Sequence, residues 1–151
     1  MFKQRKSVKD VEEGNELRPK FNHEGLIPVV TTDFVTNKLL MHAYMNEEAL
    51  KLTITKREAY YYSRTRKCLW HKGSTSGFVQ KVEQMLIDDD QDCIWLKVKV
   101  DGNASCHVGY NSCFYREIKL ENGDTKLIFT EKEKIFDPDE VYGDSPNPTI
   151  L

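Results

Sequence analysis

Ile94-Trp95-Leu96-Lys97-Val98-Lys99-Val100 is the stretch on which the fold class turns. Its residues Ile94, Leu96, Val98 and Val100 occupy alternate positions, with Trp95, Lys97 and Lys99 between them. Successive side chains of an extended chain point to opposite faces, so a period of two marks a half-buried strand. Asp101-Gly102-Asn103 closes it with a turn, and Phe78–Ile87 upstream also has strand character. Further out, Gly25–Thr32 reads as a strand in which Pro28 suits an edge or a bulge. Lys38–Met45 reads as a second strand beyond a Thr36-Asn37 turn. Asn46 then makes a helix N-cap, with Glu47 and Glu48 at the positive end of the helix dipole, and the helix is expected to run to about Thr55. Ala59–Ser63 is a short aromatic strand, and Arg64–Gly77 is a basic, glycine-punctuated loop. Ser112–Lys119 and Thr125–Thr130 form an expected hairpin around Glu121-Asn122-Gly123-Asp124, because Asn-Gly favours a tight turn. The expectation is one α+β domain, sheet-rich and mostly antiparallel, with one main helix. Residues 1–24 read as an arm, 25–134 as the domain and 135–151 as an irregular tail containing Pro138, Pro146 and Pro148.

At 151 residues the chain suits one domain that buries a core without disulfide staples. No apolar run is long enough to span a membrane, and the basic N-terminus lacks the apolar core of a secretory signal. A cytoplasmic location is therefore expected. Lys and Arg total 22 against 24 Asp and Glu, a net charge of -2, which argues against bulk nucleic-acid or anionic-membrane binding. The four cysteines, Cys68, Cys93, Cys106 and Cys113, then suit burial, catalysis or metal binding better than disulfides.

Three features carry chemistry. Asp88-Asp89-Asp90-Gln91-Asp92 packs carboxylates densely enough to repel one another unless solvated or neutralised by a cation. In an extended segment Asp88, Asp90 and Asp92 share one side, which suits a hard, oxygen-preferring ion such as magnesium. Cys106 and Cys113 flank His107 and Gly109, and a glycine turn between them brings two sulfurs together, one ligand short of a catalytic zinc site. The loop from Ser63 to Gly77 combines Arg64, Arg66, Lys67 and Lys72 with Thr65, Ser74, Thr75, Ser76 and the amides of Gly73 and Gly77, a set suited to phosphate, with Trp70 available to stack on a base. A straight strand separates Asp89 from Asp101 by roughly 40 Å, and Cys93 from the same point by roughly 25 Å, at about 3.3 Å per residue. A site using both the acidic run and the cysteines therefore implies two antiparallel copies and a two-fold dimer interface.

Together these segments resemble the phosphoribosyl-AMP cyclohydrolases of histidine biosynthesis. The matching stretches are GLIPVV at Gly25, LMHAYMNEEAL at Leu40, YYSRTRKCLWHKGSTSG at Tyr61, VQKVEQMLIDDDQD at Val79 and ASCHVGYNSCFYR at Ala104. The resemblance runs from about Gly25 to Arg116, and the ending KIFDPDEVYGDSPNPTIL is similar to that of some bacterial members. It implies a homodimer that hydrolytically opens the adenine ring of phosphoribosyl-AMP between N1 and C6, with one zinc per subunit and magnesium nearby. It further implies a monofunctional chain without the pyrophosphatase domain fused to some members. Carried over by motif, Asp88, Asp90 and Asp92 are the magnesium ligands, and Cys106 and Cys113 are zinc ligands. Ser63, Arg64, Thr65, Arg66, Trp70, Lys72, Ser76 and Arg116 are expected to bind the nucleotide, and His107 is the candidate general acid/base or an orienting neighbour of a ligand.

Three positions depart from the family pattern. Asp89 stands where cysteine is usual, Gln91 where glycine is usual, and His71 where arginine is more common. Zinc accepts carboxylate oxygen, so Asp89 is the expected third ligand by position, with Cys93 and then His107 as alternatives. The competing reading is a metal-stabilised RNA-binding module, with Tyr60, Tyr61, Tyr62 and Trp70 stacking bases beside Arg64 and Arg66. A nucleobase deaminase is disfavoured, because its H-x-E and P-C-x-x-C pattern is absent. A purely structural dimer with buried thiols is the third alternative.

Overall fold

The computed structural model describes residues 1–149. Strands β1 (Ile27–Asp33), β2 (Leu39–Met45), β5 (Gln80–Ile87) and β6 (Ile94–Val100) form a four-stranded sheet in the order β2-β1-β6-β5. In β6 the alternation is realised: Ile94, Leu96 and Val98 are buried, and Trp95 and Lys99 are exposed. The outer pairs, β1/β2 and β5/β6, are antiparallel, but β1 and β6 run parallel from Val29↔Ile94 to Asp33↔Val98. The centre of the expected mostly antiparallel sheet is thus a parallel pair, closed by the long crossover between β1 and β6. β1 is central, contrary to the edge position that Pro28 suggests. Pro28 pairs with Tyr44 of β2, while pairing with β6 begins only at Val29, so the missing N–H is asked for by no bond to β6.

Helix α2 (Glu47–Lys56) starts where Asn46 Oδ1 accepts a bond from Ala49 N at 2.8 Å, and ends at Arg57 in the left-handed region. Its buried residues Ala49, Leu50 and Thr53 pack onto the sheet together with Ile27, Leu40, Met45 and Tyr61. Tyr61 is fully buried, and its hydroxyl reaches Thr31 Oγ1 at 2.8 Å and Gln80 Oε1 at 2.7 Å. Strand β3 (Tyr60–Ser63) pairs with β4 (Cys68–His71), a strand that the sequence presents only as loop. Four residues without clear alternation carry too little periodicity to be read as a strand.

Strands β7 (Arg116–Glu121) and β8 (Asp124–Phe129) turn at Asn122-Gly123, both with positive φ, as a two-residue hairpin loop requires. β7 begins later than Ser112, because the preceding residues are held by β2: Cys113 N donates to Leu40 O at 2.7 Å and Ser112 Oγ to Leu39 O at 2.7 Å. Two short helices complete the chain, α1 (Val8–Glu12) in the N-terminal arm and α3 (Pro138–Tyr142) in the tail. The arm is docked by Gln91, whose Nε2 donates to Val11 O at 3.0 Å and whose Oε1 accepts from Arg18 N at 2.6 Å. Gln91 has φ 58, a conformation that glycine adopts freely. The departure from glycine thus keeps the turn and adds a side-chain anchor. No helix among the described residues is long and apolar enough to cross a membrane.

Candidate active site

At the end of β6 the chain turns through Asp101–Asn103 into the cysteine loop. There Cys106 N donates to Tyr110 O at 3.1 Å and Gly109 N to Cys106 O at 3.0 Å, which folds the loop back on itself. The Cys106 and Cys113 side chains are thereby brought to interact with each other. Cys113 holds the Cys106 thiol down at about 6, helped by the Val108 N–H and the Lys72 ammonium, while Cys106 and burial push Cys113 up. Lys72 is buried, and its Nζ donates to Ser105 O at 2.6 Å, which ties β4's end to the cysteine loop. Burial pushes the Lys72 pKa down, against the pull of the two sulfurs. His107 is pushed down by burial and by Lys72.

Lys72, Ser105, His107 and Cys113 open onto a cavity of about 830 Å³, within the size range of small-molecule sites. His107, Cys113 and Ser105 form one side. Met41, Ala43 and Tyr44 of β2 form another. The hairpin loop supplies Ser63, Arg64, Thr65, Arg66, Trp70, Lys72 and Ser76, seven of the eight nucleotide-binding residues expected from sequence. Ser63 Oγ accepts from Arg66 N at 3.2 Å, which shapes the turn, and Arg64 lies over the Tyr44 ring at 4.2 Å. Ser76 Oγ accepts from Phe78 N at 3.2 Å. Trp70 sits between the cations of Lys72 (5.2 Å) and Arg66 (5.8 Å). Arg116 does not line this cavity; it lies over Tyr115 at 5.0 Å. Burial removes Tyr61 from base stacking, and Tyr60 is stacked on His71 at 4.4 Å, so the aromatic run does not form the RNA platform.

The acidic run lies at the opposite end of β6 and is a turn, not an extended segment. Asp88 Oδ1 caps it by accepting from Asp92 N at 2.8 Å and Cys93 N at 2.9 Å. Asp88, Asp89 and Asp90 thereby offer carboxylate oxygens within 4.8 Å of one another, the one such metal-type trio among the described residues. Asp90 and Asp92 instead share Lys20 Nζ, at 3.2 Å each. Asp90 is thus near Asp88 and, through Lys20, also paired with Asp92, although the turn at Gln91 interrupts the extended chain between them. The thiol of the half-buried Cys93 is pushed up by burial and by Asp88 and Asp92. Neither Asp89, Cys93 nor His107 joins Cys106 and Cys113 in a three-ligand group within the described chain. Two neighbouring sulfurs fit zinc as donors, and a catalytic zinc site takes about three protein ligands.

Residues 41–115, from β2 to the end of the cysteine loop, match the family model for phosphoribosyl-AMP cyclohydrolase. A phosphoribosyl-AMP cyclohydrolase of Rhodopseudomonas palustris strain TIE-1 is 56% identical over 135 residues, 89% of each chain. Those of Bradyrhizobium diazoefficiens and Nitrobacter winogradskyi are 48% and 49% identical, covering 88% and 91% of this chain and 94% of each relative. The chain belongs to the phosphoribosyl-AMP cyclohydrolase family. In this cyclohydrolase chain the sequence reading missed two walls of the cavity. Tyr44 was legible only as a strand residue and Tyr62 only as a base-stacking candidate in the RNA-binding reading, and the cavity needed their register against β1 and β4 to appear. Pro138, Asp139, Tyr142 and Asn147 lie in the tail, whose ending resembles that of some members but carries no period that places it at the site.

Proposed function

We propose that the chain hydrolyses phosphoribosyl-AMP in histidine biosynthesis, opening the adenine ring between N1 and C6 and leaving a formimino-aminoimidazole carboxamide ribonucleotide. One observation carries the reading: a single cavity joins a basic, hydroxyl-rich loop to Cys113 and His107, in a chain of this family. In the reaction, water's oxygen bonds to C6 and becomes the carboxamide oxygen, the N1–C6 bond breaks, and N1 takes up the proton. His107 moves that proton; the burial that lowers its pKa keeps the imidazole neutral and able to accept it near pH 7. Arg64, Arg66 and the hydroxyls of Ser63, Thr65 and Ser76 hold phosphate oxygens, and Trp70 offers a face to a base. Lys72 acts through Ser105 O, holding the cysteine loop in place.

Cys106 and Cys113 would hold zinc, which when bound supplies a water acidic enough to attack at neutral pH. The third ligand, Asp89 or Cys93, comes in this reading from a second copy of the chain, since β6 separates the two segments by roughly 20 Å at about 3.3 Å per residue. The hairpin supports a homodimer. Every residue of β7 and β8 is exposed, and Ile118, Leu120 and Leu127 stand on one face with Phe129. Such an isolated apolar two-stranded hairpin needs a cover to be stable in water. Asp88, Asp90 and Asp92 of the same acidic turn suit magnesium. The test is complementation. Mixing Cys106→Ser with Asp89→Ala chains restores about one quarter of wild-type turnover if each site is shared across a two-fold axis. Restoration with Cys93→Ser in place of Asp89→Ala names Cys93 as the ligand. Zero restoration with either partner overturns the shared site.

A further inference from the structure

Residues 135–149 lie beyond the stretch that matches the family model, yet they are anchored at specific points. Ile135 N donates to Gly109 O at 2.7 Å, inside the cysteine loop. A Cβ on Gly109 would come within 2.5 Å of Phe136 O, and its φ is +103, so only glycine admits this close passage. The Phe136 ring packs on Phe78 at 4.9 Å and carries Tyr142 of α3 at 6.1 Å. Phe78 directly follows the Gly73–Gly77 loop. Phe136 therefore rivets the tail to both the cysteine loop and the basic loop. From that rivet, Pro138, Asp139, Tyr142 and Ser145–Pro148 form a wall of the cavity.

Asp139 is the one carboxylate among the residues lining the cavity, whose cations are Arg64, Arg66 and Lys72. A carboxylate is out of place for gripping phosphate, which it repels. It is well suited to accept two hydrogen bonds from a vicinal diol, and each ribose of the substrate carries one.

Building on the cyclohydrolase reading, we propose that residues 135–148 are a strap that closes the nucleotide cavity, riveted by Phe136, and that Asp139 on it binds a ribose diol. The strap excludes solvent from the nucleotide, and Asp139 adds selectivity for ribose over deoxyribose.

The test uses full-length Phe136→Ala and Asp139→Asn chains in a Trp95→Phe background, so that Trp70 fluorescence reports binding of AMP and of 2′,3′-dideoxy-AMP. The reference chain is expected to bind AMP about tenfold more tightly than the dideoxy analogue, the discrimination of one lost hydrogen-bonding partner. Asp139→Asn removes the preference without weakening dideoxy-AMP, and Phe136→Ala weakens both about tenfold. With phosphoribosyl-AMP, both raise KM while kcat stays within about twofold, as expected for uniform binding. A preserved diol preference in Asp139→Asn, or none in the reference chain, overturns the role of Asp139. Affinities within twofold of the reference in Phe136→Ala overturn the strap. The AMP measurements need no turnover, so they stand or fall separately from the cyclohydrolase reading. Asp139 is exposed, so its variant reads out even where Phe136→Ala misfolds.

Discussion

Replacing Gln91 by alanine tests the account of the acidic turn most sharply. Gln91 is buried and satisfies Arg18 N, Val11 O and, at 3.4 Å, Glu16 O with one amide. Truncation leaves the Arg18 N–H and the Val11 carbonyl without partners beside a buried Val11. Each unmade bond at a buried group costs about 1–3 kcal/mol, so Gln91→Ala should lose about 2–4 kcal/mol after relaxation. The left-handed backbone is unchanged by that substitution. Gln91→Gly loses the same bonds but relieves about 1 kcal/mol of left-handed strain, and so should be the milder variant. Urea unfolding gives the global loss, and hydrogen exchange at the Arg18 and Lys20 amides shows whether the arm opens alone. Alanine within 0.5 kcal/mol of wild type, with the arm still protected, would refute the anchor. Glycine as harmful as alanine would refute the strain argument.

Tyr61→Phe deletes a buried hydroxyl shared by Thr31 and Gln80; it should cost about 1–3 kcal/mol in thermal unfolding while leaving metal content unchanged. Lys20→Ala removes the cation that occupies Asp90 and Asp92, so magnesium affinity measured by calorimetry should rise at the turn and become more salt-dependent. Asp33 is held below its usual value chiefly by the Thr36 N–H and further by the Thr36 hydroxyl and the Val35 N–H. Its contribution to stability is therefore complete above its unfolded pKa of about 4 and is lost as pH falls through the lower folded value. The difference in unfolding temperature between wild type and Asp33→Ala should hold constant from neutrality to about one unit above that unfolded pKa of about 4 and shrink only as pH falls further.

The parts of the fold carried by local chemistry were legible. The β6 alternation, the Asn46 cap and the Asn122-Gly123 turn each appear where their residues require them. The parallel β1/β6 pair was not legible, because a strand's own side chains do not state the direction of its neighbour. Pro28 misled for the same reason: its tolerance depends on where β6 begins to pair. β4 was hidden by its shortness. In the site, the Ser63–Ser76 loop and the two cysteines were legible as donor chemistry, and the cavity gathers the loop with Cys113. The acidic run was legible as a cation-type cluster but not as a turn, since the conformation of Gln91 depends on the arm it anchors. The tail wall was invisible because its contacts, Phe136 on Phe78 and Ile135 on Gly109, are long-range and leave no period in the sequence.

The most direct test of the central claim is ultraviolet-monitored turnover of phosphoribosyl-AMP by the purified chain, before and after chelation, beside Cys106→Ser. Opening of the adenine ring that stops with the chelator, returns with zinc and is absent in Cys106→Ser is the expected result. Turnover that survives both chelation and Cys106→Ser would contradict the cysteine pair as the reactive centre, and a folded, zinc-loaded chain without turnover would contradict the cyclohydrolase assignment.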